Sequence, residues 1–312
     1  MGKKNRRKEP KAAAAASAAA AAASKAKPVN VRWESPAVTG TPPAARGGHT
    51  ATAVANRLYI FGGADRTPTT HDDMHVLELG PVVARSSAVS RSACWTEVAR
   101  AAGGEWPAHR TDHTAIAAGS KIFVMGGQDP VHRATAGCDS PYLPFTTHVF
   151  DTESGSWSTP ETTGSVPTPR ASHSCVLSND GTTLAVTAGS GDNGPQNDFF
   201  LLDTKTMAWS ELLLAPNFAP VAREMHCCFC LESGWESEAG AEGEENGGSE
   251  TSIIYIAGGR TADKVLDTME PINLGGAVRL TDLGTGGGAA ICQQPGRHTT
   301  RKHSGKHSCP GL

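Results

Sequence analysis

The sequence predicts an all-β fold, a β-propeller assembled from four-stranded antiparallel blades. Three observations predict it. An Arg-x-x-His pair recurs four times, as Arg46–His49, Arg110–His113, Arg170–His173 and Arg223–His226. A tryptophan precedes each histidine at a nearly constant distance: 16 residues for Trp33, 18 for Trp95, 16 for Trp157 and 17 for Trp209. An apolar strand ending in glycine follows each pair, in LYIFGG (58–63), IFVMGG (122–127), LAVTAGSG (184–191) and IIYIAGG (253–259). Such self-similarity marks a repeat architecture with one supersecondary unit per repeat.

Composition agrees. The 312 residues are 38% apolar and 5% aromatic, with 35 Gly and 20 Pro, a balance that suits short strands and turns better than a helical core. No run of 18 apolar residues occurs, so no membrane-spanning helix is expected. Charge is segregated: residues 1–27 carry about +7, residues 295–312 carry +4, and the remainder about −14. A nucleic-acid footprint is a basic stripe. The acidic body therefore argues against nucleic acid everywhere except at the basic N-terminal tail.

Residues 1–30 join a basic cluster, MGKKNRRKEPK, to an alanine tract, Ala12–Ala23, broken by Ser17. Alanine favours helix but buries almost nothing, so a disordered tail is expected. The tract lacks the Leu, Ile, Val or Phe of a signal peptide. Residues 31–274 hold the repeats, with blades near 46–95, 110–157, 170–209 and 223–274. In each blade the histidine opens the innermost strand and the glycine-ended strand is second. An alternating third strand follows, in HVLEL (75–79), THVFD (147–151), DFFLLD (198–203) and DTMEPINL (267–274), and the tryptophan marks a fourth. The glycines are expected where blades crowd and φ is positive, and the tryptophans between blades. Pro271 cannot donate to a ladder, so its strand is expected at an edge. The fourth repeat has no tryptophan downstream, and residues 275–312 abandon the pattern as an irregular Gly-rich basic tail. Four visible blades with unmatched ends predict an incomplete propeller prone to self-association. The alternative is closure by the Trp33 strand, completing blade four.

The glycine doublets, the aromatic second strands (Tyr59, Phe123, Tyr255) and the tryptophans resemble the kelch-repeat family over residues 31–274. The resemblance implies a propeller whose loops bind another protein. It extends to the galactose-oxidase superfamily, whose copper site needs paired tyrosines, two histidines and a cysteine. Only Tyr59, Tyr142 and Tyr255 are present, and two of these occupy core positions, so no enzyme is expected. The eight cysteines show no paired C-x-x-C spacing and suit a reducing compartment, cytoplasmic or alternatively nuclear. Cys227, Cys228 and Cys230 are expected as buried structural thiols. His298, His303, His307 and Cys309 lie where nothing apolar would fix a metal shell. No cofactor and no metal are expected.

Loop length locates the candidate binding face. The second-to-third (b–c) loops and the inter-blade loops emerge together. The b–c loop is long in blade one (Ala64–Asp73) and longest in blade two (Gln128–Thr146). Loops of this length in a tight repeat are usually binding surfaces. The candidate residues are Asp65, Arg66, His71, Asp129, His132, Arg133 and Asp139, with Asp192, Asn193 and Gln196 from blade three and Arg260 from blade four. Arg46, Arg110, Arg170 and Arg223 join them as forks for an anionic or peptide-like ligand. Repetition gives the same arginines a second reading, as ties between blades. A scaffold binding a protein partner is the expected function, with substrate recognition for a ubiquitin ligase as the alternative. The Gly/Glu/Ser insertion Glu232–Glu250, on the opposite face, reads as disorder.

Overall fold

The computed structural model describes residues 36–67, 69–81, 83–85, 88–90, 92–214, 219–231, 253–273 and 278–279. Blade one runs through β1 (Ala37–Gly40), β2 (Thr50–Val54), β3 (Arg57–Phe61), β4 (Met74–Leu79), the hairpin β5 (Val83–Arg85) and β6 (Ala88–Ser90), and β7 (Ser92–Glu97). Blade two holds β8 (Thr114–Ala118), β9 (Lys121–Met125), a short helix α1 (Pro130–Thr135), β10 (Thr147–Asp151) and β11 (Ser156–Ser158). Blade three holds β12 (Thr163–Gly164), β13 (Ser174–Leu177), β14 (Thr183–Thr187), the small hairpin β15 (Ser190–Gly191) and β16 (Gly194–Pro195), β17 (Phe199–Asp203) and β18 (Ala208–Leu213). Blade four holds β19 (Cys227–Leu231), β20 (Ile253–Ala257) and β21 (Met269–Asn273), and β22 (Val278–Arg279) follows. Each innermost strand starts one residue after its histidine.

The sheets read β2-β3-β4-β7, β8-β9-β10-β11, β13-β14-β17-β18 and β19-β20-β21 from the inside outward. Strands β2, β8, β13 and β19 pack side by side in chain order. Three details depart from the expectation. Blade four has three strands, not four, among the described residues. Blades one and three carry an extra outer strand: β1 pairs parallel with β7, and β12 parallel with β18. Residues 278–279 of the expected irregular tail form β22 against β18. As its proline requires, β21 is an edge strand among the described residues, where it pairs with β20 alone. Trp33, residues 1–35, the 232–250 insertion and residues 280–312 lie outside the described residues.

Alternation along each strand sends one set of side chains to the preceding blade and the other to the following blade. Tyr59, Phe61, Met74 and Val76 of blade one meet Ile122, Val124, Phe150 and Trp157 of blade two. Phe123, Met125, Phe145 and Val149 meet Leu184, Val186, Phe200, Leu202 and Trp209. Val176, Ala185, Phe199, Leu201 and Leu212 meet Ile254, Ile256 and Ile272. Trp157 and Trp209 are buried against the blade before them, at 8% and 1% exposure. Trp95, in the first blade, is only half-buried.

Candidate functional site: the loop face

Every inter-blade junction is built from the Arg-x-x-His segment. Each arginine folds back on its own blade. Its Nε donates to the carbonyl two residues earlier and its Nη1 to the carbonyl of the first residue of the doublet position. The acceptors of Nη1 are Gly62 O at 3.1 Å for Arg46, Gly126 O at 3.0 Å for Arg110, Ala188 O at 3.0 Å for Arg170 and Gly258 O at 3.2 Å for Arg223. A carboxylate completes the fork in three blades: Asp73 for Arg46, Asp198 for Arg170 and Glu270 for Arg223. All four side chains are buried. Neither reading of the repetition describes the side chains: these guanidiniums are occupied within their own blades, neither open forks for a ligand nor ties to a neighbouring blade. The acids were missed in the sequence, although Asp73-Met74 and Asp198-Phe199 both place an acid just before the third strand.

Blade two breaks this rule. Thr146 stands where Asp73 and Asp198 stand, and Arg110 Nη2 instead donates to His148 Nε2 at 3.1 Å. His148 Nδ1 then carries the proton and donates to Thr159 Oγ1 at 3.1 Å. Burial, with Arg110 beside it, pulls His148 down to about 3. Burial also lowers the Arg110 guanidinium to about 10, against the charge of Asp129, which raises it. In blade one, by contrast, burial alone would raise Asp73, but hydrogen bonds from Arg46 and His75 take it to about 2. Thr146→Asp should give Arg110 the missing acid and stabilise the protein by about 2 kcal/mol, the scale of a charge-assisted hydrogen bond. Urea unfolding of the variant checks this; an unchanged or lower midpoint would contradict it.

The histidines tie each blade to the one before. His113 Nε2 lies 2.9 Å from Thr50 Oγ1, His173 Nε2 2.8 Å from Thr114 Oγ1, and His226 Nε2 2.9 Å from Thr187 Oγ1. In blade three the first residue of the inner strand is Ser174, whose hydroxyl donates to His226 O at 3.3 Å and accepts from Cys228 N at 3.1 Å. The first doublet glycine makes room for this traffic. A Cβ on Gly126 (φ 62°) would stand 2.6 Å from His173 Cε1 and 2.8 Å from Arg170 O. In blade three Ala188 holds the corresponding position, with φ 50°.

Above this frame sit the candidate loop residues. In blade two Asp129 caps α1, accepting from His132 N at 3.2 Å, with Pro130 at the first helical position. Aspartate at that position and proline after it are the expected start signals. The loop returns through Arg133 Nε to Ser140 O at 2.6 Å and Asp129 N to Pro141 O at 2.9 Å. Tyr142 OH reaches Ser190 Oγ of blade three at 3.4 Å. Asp129 is buried, His132 and Asp139 are exposed, and Arg133 is intermediate. His132 Nδ1 contacts Asp129 at 3.0 Å and its ring stacks on His109, centroids 4.2 Å apart with 24° between planes. His109, Asp129 and His132 bring donor atoms within 4.8 Å of one another. An ion binds in the plane of each imidazole, and two stacked rings offer no shared plane, so a metal would require both rings to turn.

In blade one Asp65 is absorbed by its own turn, accepting from Thr67 N at 2.8 Å and Thr69 N at 3.1 Å. His71 lies 3.8 Å from Asp65, and Arg66 is exposed. Asp192 and Asn193 form the exposed tip of the β15–β16 hairpin. Gln196 pairs with Arg223 through the backbone, and Arg260 Nε donates to Glu224 at 2.8 Å. The loops of all four blades thus share one face, because each residue after the doublet bridges to the inter-blade segment. That face has exposed groups at Arg66, His132, Asp139, Asp192, Asn193 and Arg260. An open concavity lined by Thr39, Asn56, Glu78, Leu79, Ser92 and Cys94 lies away from it, at the outer edge of blade one. Cys228 and Cys230 are partly buried against the blade-three cluster and Cys227 is exposed, so the three thiols are less buried than expected.

The model of the KLHDC2/KLHL20/DRC7 Kelch-repeats domain matches residues 24–234. Acyl-CoA-binding domain-containing protein 4 of Arabidopsis thaliana is 30% identical over 63% of this chain and 26% of its own length. Kelch domain-containing protein 3 of Bos taurus is 32% identical over 59% of this chain and 46% of its own. Rab9 effector protein with kelch motifs of Mus musculus is 33% identical over 32% of this chain and 24% of its own. The matched part of the chain thus spans about a quarter to a half of these relatives.

Proposed function

The chain belongs to the kelch-repeat family, and from that premise we propose a non-catalytic scaffold that holds a protein partner on its b–c loop face. The observation that carries this reading is the blade-two loop. It is long, yet it is fastened by a capped helix and by its bonds to Ser140, Pro141 and Ser190. A pre-ordered loop loses little entropy on binding. The mixed charge of the exposed groups suits a polar protein surface better than a small apolar ligand. A relative named as a Rab9 effector points to protein partners as well.

Affinity capture with the purified chain, followed by cross-linking, tests the face. The pair Arg66→Glu and His132→Glu should weaken capture of the partner at least about tenfold, the scale of an interface hot spot. Lys205→Glu, at the exposed turn after β17 on the opposite face, should leave it unchanged. Equal capture by all three proteins would refute the assignment.

A further inference from the structure

Blades one and four each end on half of a contact set that the other three faces share. At every internal junction the second doublet N–H donates to the arginine carbonyl of the next blade: Gly63 to Arg110 at 2.8 Å, Gly127 to Arg170 at 2.8 Å, and Gly189 to Arg223 at 2.9 Å. A return bond runs from the residue before each histidine: Asp112 N to Gly48 O at 2.8 Å, Ser172 N to Asp112 O at 2.8 Å, and Met225 N to Ser172 O at 2.9 Å. The histidine–hydroxyl bond makes a third contact.

The outer face of blade four carries one half, a donor and an acceptor. Gly259 N–H and Met225 O have no such partner among the described residues. A Cβ on Gly258 would meet nothing nearer than Leu266 O at 3.7 Å, where Gly126 is crowded by its neighbouring blade. Cys227 holds the position of Thr50 and Thr114 and is exposed. Tyr255 takes the place of Tyr59, which blade two buries to 4%. It is left half-covered, stacked on Phe229 at 5.3 Å, with Phe229 36% and Leu231 44% exposed.

The outer face of blade one carries the complementary half: the acceptor Arg46 O, the donor Gly48 N–H and an exposed His49. Its inner strand turns Ala51 and Ala53 outward, both exposed. Ala115 and Ala117 take the same places in blade two, Cys175 and Leu177 in blade three, and Ala115, Cys175 and Leu177 pack at their junctions. Among the described residues His49 is exposed and Gly258 is open, so these two end faces do not meet each other there.

We infer that a second copy of this chain docks head to tail, its blade one seated on blade four. His49 then faces Cys227, Arg46 O receives Gly259 N–H, and Ala51 and Ala53 cover the Phe229–Tyr255 pair. Unlike faces meet, so the contact is heterologous. Two copies that satisfy both contacts close an eight-bladed ring, within the range of known propellers, and unclosed copies extend into chains.

Analytical ultracentrifugation of the full chain over a concentration series tests this, with circular dichroism confirming the fold of each variant. The unaltered chain should sediment above monomer. Ala51→Arg, which blocks the first face, and Phe229→Arg, which blocks the second, should each be monomeric. An equal mixture of the two should restore a dimer, because one intact pair of faces remains. Leu231→Arg replaces Phe229→Arg if the latter does not fold. A monomeric unaltered chain, or a mixture that stays monomeric, would overturn the inference.

Discussion

Arg170→Ala is expected to lower stability by about 3–5 kcal/mol, the cost of stripping one partner from a buried charged network. The side chain is fully buried and its donors are all used. Nε donates to Thr168 O at 3.1 Å and Nη1 to Ala188 O at 3.0 Å. Nη2 donates to Thr168 Oγ1 at 3.0 Å, and both η nitrogens reach Asp198, at 2.5 and 2.8 Å. The guanidinium also lies over the Phe200 ring, 5.3 Å from its centroid. Alanine leaves two carbonyls and a carboxylate without their donor and opens a space between blades. Lysine should rescue little, because a single ammonium cannot span acceptors set out for a planar fork. The loss is large against the roughly 5–15 kcal/mol that folds a typical protein, so the variant should unfold at a much lower urea concentration. Urea midpoints read by tryptophan fluorescence decide it. A loss under about 1 kcal/mol would show Arg170 to be a surface-like cation and return it to the list of ligand contacts.

That result bears on how much of the site the sequence could show. The four-fold spacing of Trp, Arg and His located blades one to three, since short strands in a tight repeat repeat their neighbours' contacts. It also marked the arginines, but a recurring arginine reads alike as a tie or as a ligand fork. The partner decides between them, and the partner lies 27 to 47 residues away, at Asp73, Asp198 and Glu270. Distance in sequence hides such a pair. β1 went unseen because AVTG is short and exposed throughout, with no alternation to betray a strand. Its only signal is a Thr-Gly that recurs as Thr163-Gly164. There each glycine takes positive φ and a Cβ would collide with a tryptophan carbonyl, Trp95 O or Trp209 O. The helix α1 did have a local signal in Asp129-Pro130, which loop length alone overrode. The loop face itself was legible, because loop length and the shared face follow from strand order.

Lowering pH is expected to unfold the protein well above the range in which carboxylates titrate. His113, His173 and His226 each have a buried Nδ1 with no hydrogen-bond partner among the described residues. The cheaper tautomer leaves Nδ1 as a bare acceptor while Nε2–H donates to the neighbouring hydroxyl, since an unpaired buried N–H costs more than an unpaired lone pair. Protonation would add a second donor with nowhere to go. Burial, followed by Arg170 and His226, lowers His173 to about 3; burial, followed by Arg223, lowers His226 to about 4. Burial, with Arg110 next, holds His113 well below its ordinary value, and His148 stands at about 3. The unfolded chain takes up these protons near pH 6.5, whereas the folded chain refuses them until far lower pH, about 3 to 4 for His148, His173 and His226. The stability they confer is therefore fully present above about 6.5 and is lost as pH falls toward the folded values. Each histidine costs about 1.4 kcal/mol per pH unit across that window. At pH about 5 the four together remove an amount comparable to the whole stability of a typical domain. Asp73 does not contribute there, because its stabilisation is lost only between its ordinary value of 3.8 and about 2. Urea midpoints at several pH values between about 7.5 and 5 should fall steeply, with a slope equivalent to the uptake of three to four protons on unfolding. A midpoint that stays level over that range would mean the histidines are already protonated in the folded protein, and the inter-blade bonds assigned to them would have to be redrawn.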